Sequence, residues 1–391
     1  MSFLSLPPEL LLKIYQHALP SPINPKLVLP LTLIHSSLLS IAHQFLFLDL
    51  SLHSDRQVQL LLQSQAFHKS AALTRTLRFD ASRGKGIGDG GIGSEEKISG
   101  KWLERVLEVI EVAYLRDQGG AGGGGGGEAK LIEMDVRDCK GMKPSILEGE
   151  SLKNLKYLKI GTGFDFENQL LKVDSARSNA FKFKLKSLAV TNNHWESLPT
   201  SFLQSLFAAS CRNSLETLDL SNLYAVETLS SLLDSSLDLF DSISELYLPP
   251  FETFDQILFS TLLLDQVTST APLNYLELPS LSDPRSNVLL LPFLQSVSRN
   301  ASRMIQIGFK NYPSQALLDS ILIFLQSLYG GPPGSTEAEG SECNLERIRM
   351  VKILRGTAEV SKTMERDGEL VVDLIGQFGC EVEYGQYKSD L

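Results

Sequence analysis

Residues 215–220 read Leu-Glu-Thr-Leu-Asp-Leu, and residues 273–278 read Leu-Asn-Tyr-Leu-Glu-Leu. Leucines at positions one, four and six define the pattern. It recurs as Leu131-Met134-Val136, Leu155-Leu158-Ile160, Leu185-Leu188-Val190 and Ile243-Leu246-Leu248. The six starts lie 24, 30, 30, 28 and 30 residues apart. Fainter copies begin at Ser302 (with Ile305 and Ile307) and at Leu345 (with Ile348 and Met350). A period of this length predicts stacked strand-plus-helix units, an α/β solenoid in which each unit buries its apolar face on its neighbours.

Working outward, residues 76–79 read as a first strand, ahead of a glycine-rich break. Fifteen of the 29 glycines fall between Gly84 and Gly127. All but Gly100 fall in two loops, 84–94 and 119–128, around a helix expected over 95–115 with Trp102, Val106, Val109, Ile110 and Ala113 on one face. Residues 55–67 read as another helix with Ser54 as its cap. Further helices are expected over 202–209, 229–240, 254–265, 288–298 and 316–328. The stretch 330–342, rich in Gly, Pro, Ser and Glu, reads as a disordered loop, and a closing strand is expected near 381–384.

Successive strand residues point to opposite faces. If positions one, four and six face inward, three and five face the concave side. Those positions carry Glu133, Asp135, Tyr157, Lys159, Thr217, Asp219, Glu245, Tyr247, Tyr275 and Glu277, then Arg347 and Arg349. The middle units are acidic and tyrosine-bearing. Tyrosine suits recognition surfaces, so Tyr157, Asp219, Glu245, Tyr247, Tyr275 and Glu277 are the candidate substrate-binding residues, for a partner with a basic segment.

Charge and composition bound the function. The formal net charge is −10, which disfavours nucleic acid as a partner because phosphate contacts need a basic face. Cys139, Cys211, Cys343 and Cys380 are too widely spaced for a zinc site or a redox pair. The six histidines form no ligand-spaced cluster, so neither metal nor cofactor is expected. Gly86-Ile87-Gly88-Asp89-Gly90-Gly91 fits the dinucleotide fingerprint in letters. Its first glycine, however, falls too late after the strand for the tight turn that motif needs. No nucleophile elbow is present, and no catalytic residue or enzymatic activity is expected. The N-terminus carries no basic run, so no signal peptide is expected. Residues 27–48 are uncharged and long enough to span a bilayer. They also hold Pro30, His35, Ser36, Ser37, Ser40, His43 and Gln44, which favours two short amphipathic helices over a membrane span.

With these residues in hand, two resemblances stand out. The Leu-x-x-Leu-x-Leu core resembles leucine-rich repeats of the longer, helix-containing kind over 131–350. Only Asn192, Asn193 and Asn222 lie near that family's asparagine position. The N-terminus resembles an F-box through Leu6-Pro7-Pro8-Glu9-Leu10-Leu11-Leu12-Lys13-Ile14-Tyr15 and Ile34-His35-Ser36-Ser37-Leu38-Leu39-Ser40-Ile41-Ala42. Residues 44–52 then look like the tail leading onward. The segment 20–26 is longer than is usual there, and Ser36-Ser37-Leu38 replaces basic and aromatic residues.

The resemblances imply an F-box-like helical domain at 1–52 and a leucine-rich-repeat-like solenoid at 53–391. They imply docking to a Skp-family adaptor through Leu6, Pro7, Leu10, Ile14 and Ile34. The function they imply is a non-catalytic substrate receptor of a cullin–RING ubiquitin ligase, cytoplasmic or nuclear, acting by proximity. The alternative is a leucine-rich-repeat scaffold outside any ligase, its N-terminal helices serving as a cap.

Overall fold

The computed structural model describes residues 42, 45–81, 98–119, 130–161, 163–165, 181–191, 198–211, 213–223, 242–249, 274–278, 306–309, 350–355 and 381–386. The chain divides into two compact units, Met1–Leu185 and Lys186–Leu391. Both are built on parallel strands, and the fold class is mixed α/β.

In the first unit the strands β1 (Asp49–Leu52), β2 (Thr76–Phe79), β4 (Glu133–Asp135) and β6 (Tyr157–Ile160) lie side by side in that order, all parallel. A second, two-stranded sheet joins β3 (Ile98–Ser99) to β5 (Cys139–Lys140). The strand β1 pairs with β2 from Asp49↔Thr76 onward, so the parallel array starts ahead of residue 53.

The described residues of this unit include the helices α1 (Asp55–Gln63), α2 (Gln65–Ser70) and α3 (Gly100–Gly119). The Ser54 side chain accepts from the backbone N–H of Gln57, as its place before Asp55 predicts. The single helix expected over 55–67 is instead two. Ser64 takes extended backbone angles, and its hydroxyl accepts from Phe67 N–H. A serine that can bond nearby backbone this way both ends one helix and starts the next.

The helix expected over 95–115 runs from Gly100 to Gly119, and its buried face is rotated from the expected one. Leu103, Val106, Leu107, Ile110, Ala113 and Tyr114 are buried, whereas Trp102 and Val109 are half-exposed. Trp102 lies under two cations, with Lys101 Nζ at 5.1 Å and Arg105 Cζ at 5.5 Å from its ring centre. A large ring can half-bury beneath such chains, leaving the core to the leucines on its other side. The inner side of α3 packs against α1, α2 and the turn Ala71–Leu73.

Among the described residues of the second unit, seven parallel strands run in chain order. They are β7 (Ser187–Val190), β8 (Thr217–Asp219), β9 (Glu245–Tyr247), β10 (Tyr275–Leu278), β11 (Gln306–Phe309), β12 (Met350–Arg355) and β13 (Glu381–Gln386). One helix, α4 (Thr200–Leu206), follows β7 and is continued by a π turn over Phe207–Cys211. Parallel neighbours need such crossovers, because a tight hairpin cannot return the chain in the same direction.

The register carries the repeat. Leu188, Leu218, Leu246, Leu276, Ile307, Val351 and Val382 stand in line across the seven strands. In the first unit Leu50, Leu77, Met134 and Leu158 stand in line likewise. Leu131, Leu155, Leu185, Leu215 and Ile243 at position one are buried, as are Val136, Ile160, Val190, Leu220 and Leu248 at position six. Each buried leucine stabilises by roughly 1.5–3 kcal/mol relative to exposure.

Two copies are out of frame with the sequence reading. Tyr275 pairs with Gln306, which puts position four of the next unit at Ile307 and not at Ile305. Gln306 pairs with Met350, which moves position four of the following unit from Ile348 to Val351. A slip of three residues exchanges the two strand faces. Val351 and Ile353 therefore take the places read as Ile348 and Met350. Arg347 and Arg349 lie outside the described residues. So do the loops 84–94, 120–128 and 330–342 and the expected helices at 229–240, 254–265, 288–298 and 316–328.

Candidate functional site

The candidate surface grows from one feature of strand geometry. Residues flanking a buried position-four leucine stand on the opposite face. In β8, β9 and β10 these are Thr217 and Asp219, Glu245 and Tyr247, and Tyr275 and Glu277. The register sets Thr217, Glu245 and Tyr275 in one row, and Asp219, Tyr247 and Glu277 in a second.

Side-chain contacts tie the rows together. Thr217 Oγ1 donates to Glu245 Oε2 at 3.3 Å. The rings of Tyr247 and Tyr275 lie 5.3 Å apart at 53°, a tilted pair. The Tyr275 hydroxyl donates to Glu277 Oε2 at 3.1 Å. Glu277 is 3% exposed, far more buried than a carboxylate on a polar face usually is. Burial pushes the Tyr275 phenol up from its ordinary value, and the charge of Glu277 adds to the shift.

Asp219 has a structural task as well. Its Oδ1 accepts from Ser221 N–H at 2.9 Å and so holds the turn that leaves β8. Asp135 does the same for Arg137 N–H at 3.3 Å, at the matching position in the first unit. Of the asparagines noted in the sequence, Asn192 and Asn193 lie outside the described residues. Asn222 is half-buried and donates to its neighbour Ser221 Oγ at 3.4 Å.

Of the six sequence-predicted substrate residues, Asp219, Glu245, Tyr247, Tyr275 and Glu277 share this face of the second unit. Tyr157 belongs to the first unit, where it is 42% exposed and pairs in register with Glu133. Sequence reading missed Arg78, whose Nη2 meets Glu133 Oε1 at 2.9 Å. The alternating Thr-Leu-Arg-Phe of β2 carried that signal, since it sets Arg78 on the same side as Thr76. Arg137 also grips Asp135 with two nitrogens, at 2.9 and 2.7 Å. The adaptor-contact candidates Leu6, Pro7, Leu10, Ile14 and Ile34 lie outside the described residues.

Among the described residues, no group of three or more His, Cys, Asp or Glu side chains is placed to hold a metal ion. Cys139 and Cys211 are buried free thiols. Burial pushes the Cys139 thiol up, with Asp138 adding to it, which is the opposite of what a reactive thiolate needs. No helix among the described residues is long and apolar enough to cross a membrane.

Compared with known proteins, the chain matches no family model and shows no significant similarity to a curated protein.

Proposed function

We infer that the chain is a non-catalytic substrate receptor of a cullin–RING ubiquitin ligase. In this reading residues 1–52 form an F-box-like domain that docks a Skp-family adaptor through Leu6, Pro7, Leu10, Ile14 and Ile34. The parallel strands belong to a leucine-rich-repeat-like solenoid whose outward strand positions hold a target protein. Ubiquitin transfer then follows from proximity, with no bond made or broken by this chain. The compartment would be the cytoplasm or the nucleus.

The observation that carries the receptor half is the in-register row of tyrosines and carboxylates opposite the buried leucines of β8–β10. Aromatic residues on that face supply contact area at low entropic cost. The ligase half is supported by the two N-terminal segments, 6–15 and 34–42.

Co-purification of the full chain with a eukaryotic Skp-family adaptor tests the reading. Stoichiometric capture that disappears in the Leu10→Asp/Ile14→Asp chain is the expected result. Absence of capture by the folded full chain, or undiminished capture by the folded double variant, overturns the ligase half. It leaves a repeat scaffold capped by its N-terminal helices.

A further inference from the structure

We propose that the face of β8, β9 and β10 is a docking surface for an extended, lysine- or arginine-bearing protein segment, with a basic side chain seated over the Tyr247–Tyr275 pair beside Glu245. The proposal rests on the receptor reading above and names the chemistry of its partner.

Charge complementarity argues for this occupant. The eight positions opposite the leucine row in β7–β10 are Ser187, Ala189, Thr217, Asp219, Glu245, Tyr247, Tyr275 and Glu277. Three are carboxylates, and none is a base. In the first unit Arg78 meets Glu133 and Arg137 meets Asp135, so basic side chains join the acidic ones there. An acidic face repels nucleic acid phosphates and attracts basic protein segments.

The aromatic pair makes the surface more selective than a patch of charge. Two tilted tyrosine rings 5.3 Å apart offer π faces to an ammonium or guanidinium group. Glu277 stands next to both, pairing with Tyr247 in register and accepting the Tyr275 hydroxyl. Glu277 is almost wholly withdrawn from solvent, whereas Glu245 is half-exposed on the same face and is the carboxyl within reach of an incoming cation. Burial keeps the proton on Tyr275 well into alkali, so its ring stays neutral. A segment crossing parallel strands meets a new outward residue about every 4.8 Å, which suits an extended chain more than a helix.

The test uses the full-length chain and two fluorescein-labelled peptides, Gly-Lys-Ser-Lys-Thr-Lys-Gly and the same peptide with glutamate in place of lysine. Fluorescence anisotropy reads binding to the wild type, to Glu245→Gln, to Tyr247→Ala and to Glu108→Gln. Glu108 is an exposed residue of α3, and its variant changes net charge by the same amount away from the face. The expected result is binding of the lysine peptide only, weakened about tenfold by each face variant, the loss of one good contact. Glu108→Gln is expected to bind like the wild type.

No binding of the lysine peptide, equal binding of the glutamate peptide, or equal weakening by Glu108→Gln overturns the proposal. If Tyr247→Ala melts early, Glu245→Gln carries the decision alone. Adaptor capture by the wild type without peptide binding removes this inference and leaves the ligase reading in place. Peptide binding without adaptor capture does the reverse.

Discussion

The Tyr275 hydroxyl donates a 3.1 Å hydrogen bond to Glu277, two residues further along the same strand. Residues two apart share a strand face, so the bond needs no distortion of β10. It supplies a donor to a carboxylate that is 3% exposed. Loss of the hydroxyl would take one donor away from a buried acceptor.

Tyr275→Phe is therefore expected to lower stability by about 0.5–1.5 kcal/mol, the net contribution of one hydrogen bond. Urea unfolding at neutral pH checks this. The raised phenol sets a pH dependence too. Below about pH 10, the ordinary tyrosine value, both folded and unfolded chains keep the Tyr275 proton. Above it only the unfolded chain loses the proton, so stability falls as pH rises. The gap between wild type and Tyr275→Phe should narrow on going from pH 9 to pH 11, within about a unit. A gap that widens would contradict the buried, protonated phenol.

Asp138 gives a dependence at the acid end. Burial raises its carboxyl above the ordinary 3.8, while the bond from Ala81 N–H acts the other way. The unfolded chain ionises first as pH rises, so the folded state loses stability from about 3.8 up to the raised value. An asparagine keeps an acceptor for Ala81 and has no such loss. Asp138→Asn should gain on the wild type as pH rises through this window, measured by thermal melts from pH 3.5 to 7, a range about as wide as such shifts reach.

Gly161 and Gly163 let one strand exit lie against another. A Cβ at Gly161 would sit 2.5 Å from the Arg137 carbonyl oxygen, and one at Gly163 would overlap the Cys139 carbonyl. Both obstacles are backbone and cannot swing aside. Alanine at either is expected to cost roughly 1–3 kcal/mol by overpacking. Gly141 meets nothing within 4 Å but has φ +68°, so its alanine variant should lose about 1 kcal/mol through conformation alone. Comparing the three midpoints in denaturant separates the two causes.

The leucine row should dominate stability in the second unit. Leu218 and Leu246 are each 1% exposed at position four. Leu218→Ala and Leu246→Ala are expected to cost about 2–5 kcal/mol each, the sum of lost transfer energy and the cavity left behind. Ser187→Ala, on the opposite face, should stay within about 0.5 kcal/mol. Equal losses would mean that the two faces had been assigned the wrong way round.

Several of these features are legible in the chain before any folding. The apolar positions one, four and six of residues 131–278 mark the strands, and Thr76–Phe79 falls where alternation predicts it. Ser54 is readable as a cap because its oxygen serves a local backbone donor. The later units are less legible. Ile305, Ile307 and Phe309 alternate without a break, whereas Ile348 and Met350 alternate in one phase and Val351 and Ile353 in the other. More than one frame buries apolar residues there, and pairing with the neighbouring strand selects among them.

The sequence by itself determined which residues are apolar at strand spacing, and so the parallel α/β class and the buried leucine row. That information is local, because alternation and capping depend on neighbours a few residues away. Only the tertiary structure decided which outward residues meet. Tyr247 and Tyr275 are 28 residues apart in the chain and 5.3 Å apart between ring centres. Asp219 turns out to hold the exit of its own strand, and Arg78 answers Glu133 from 55 residues away. Such meetings are fixed by register between strands, a property of paired strands that no single strand carries.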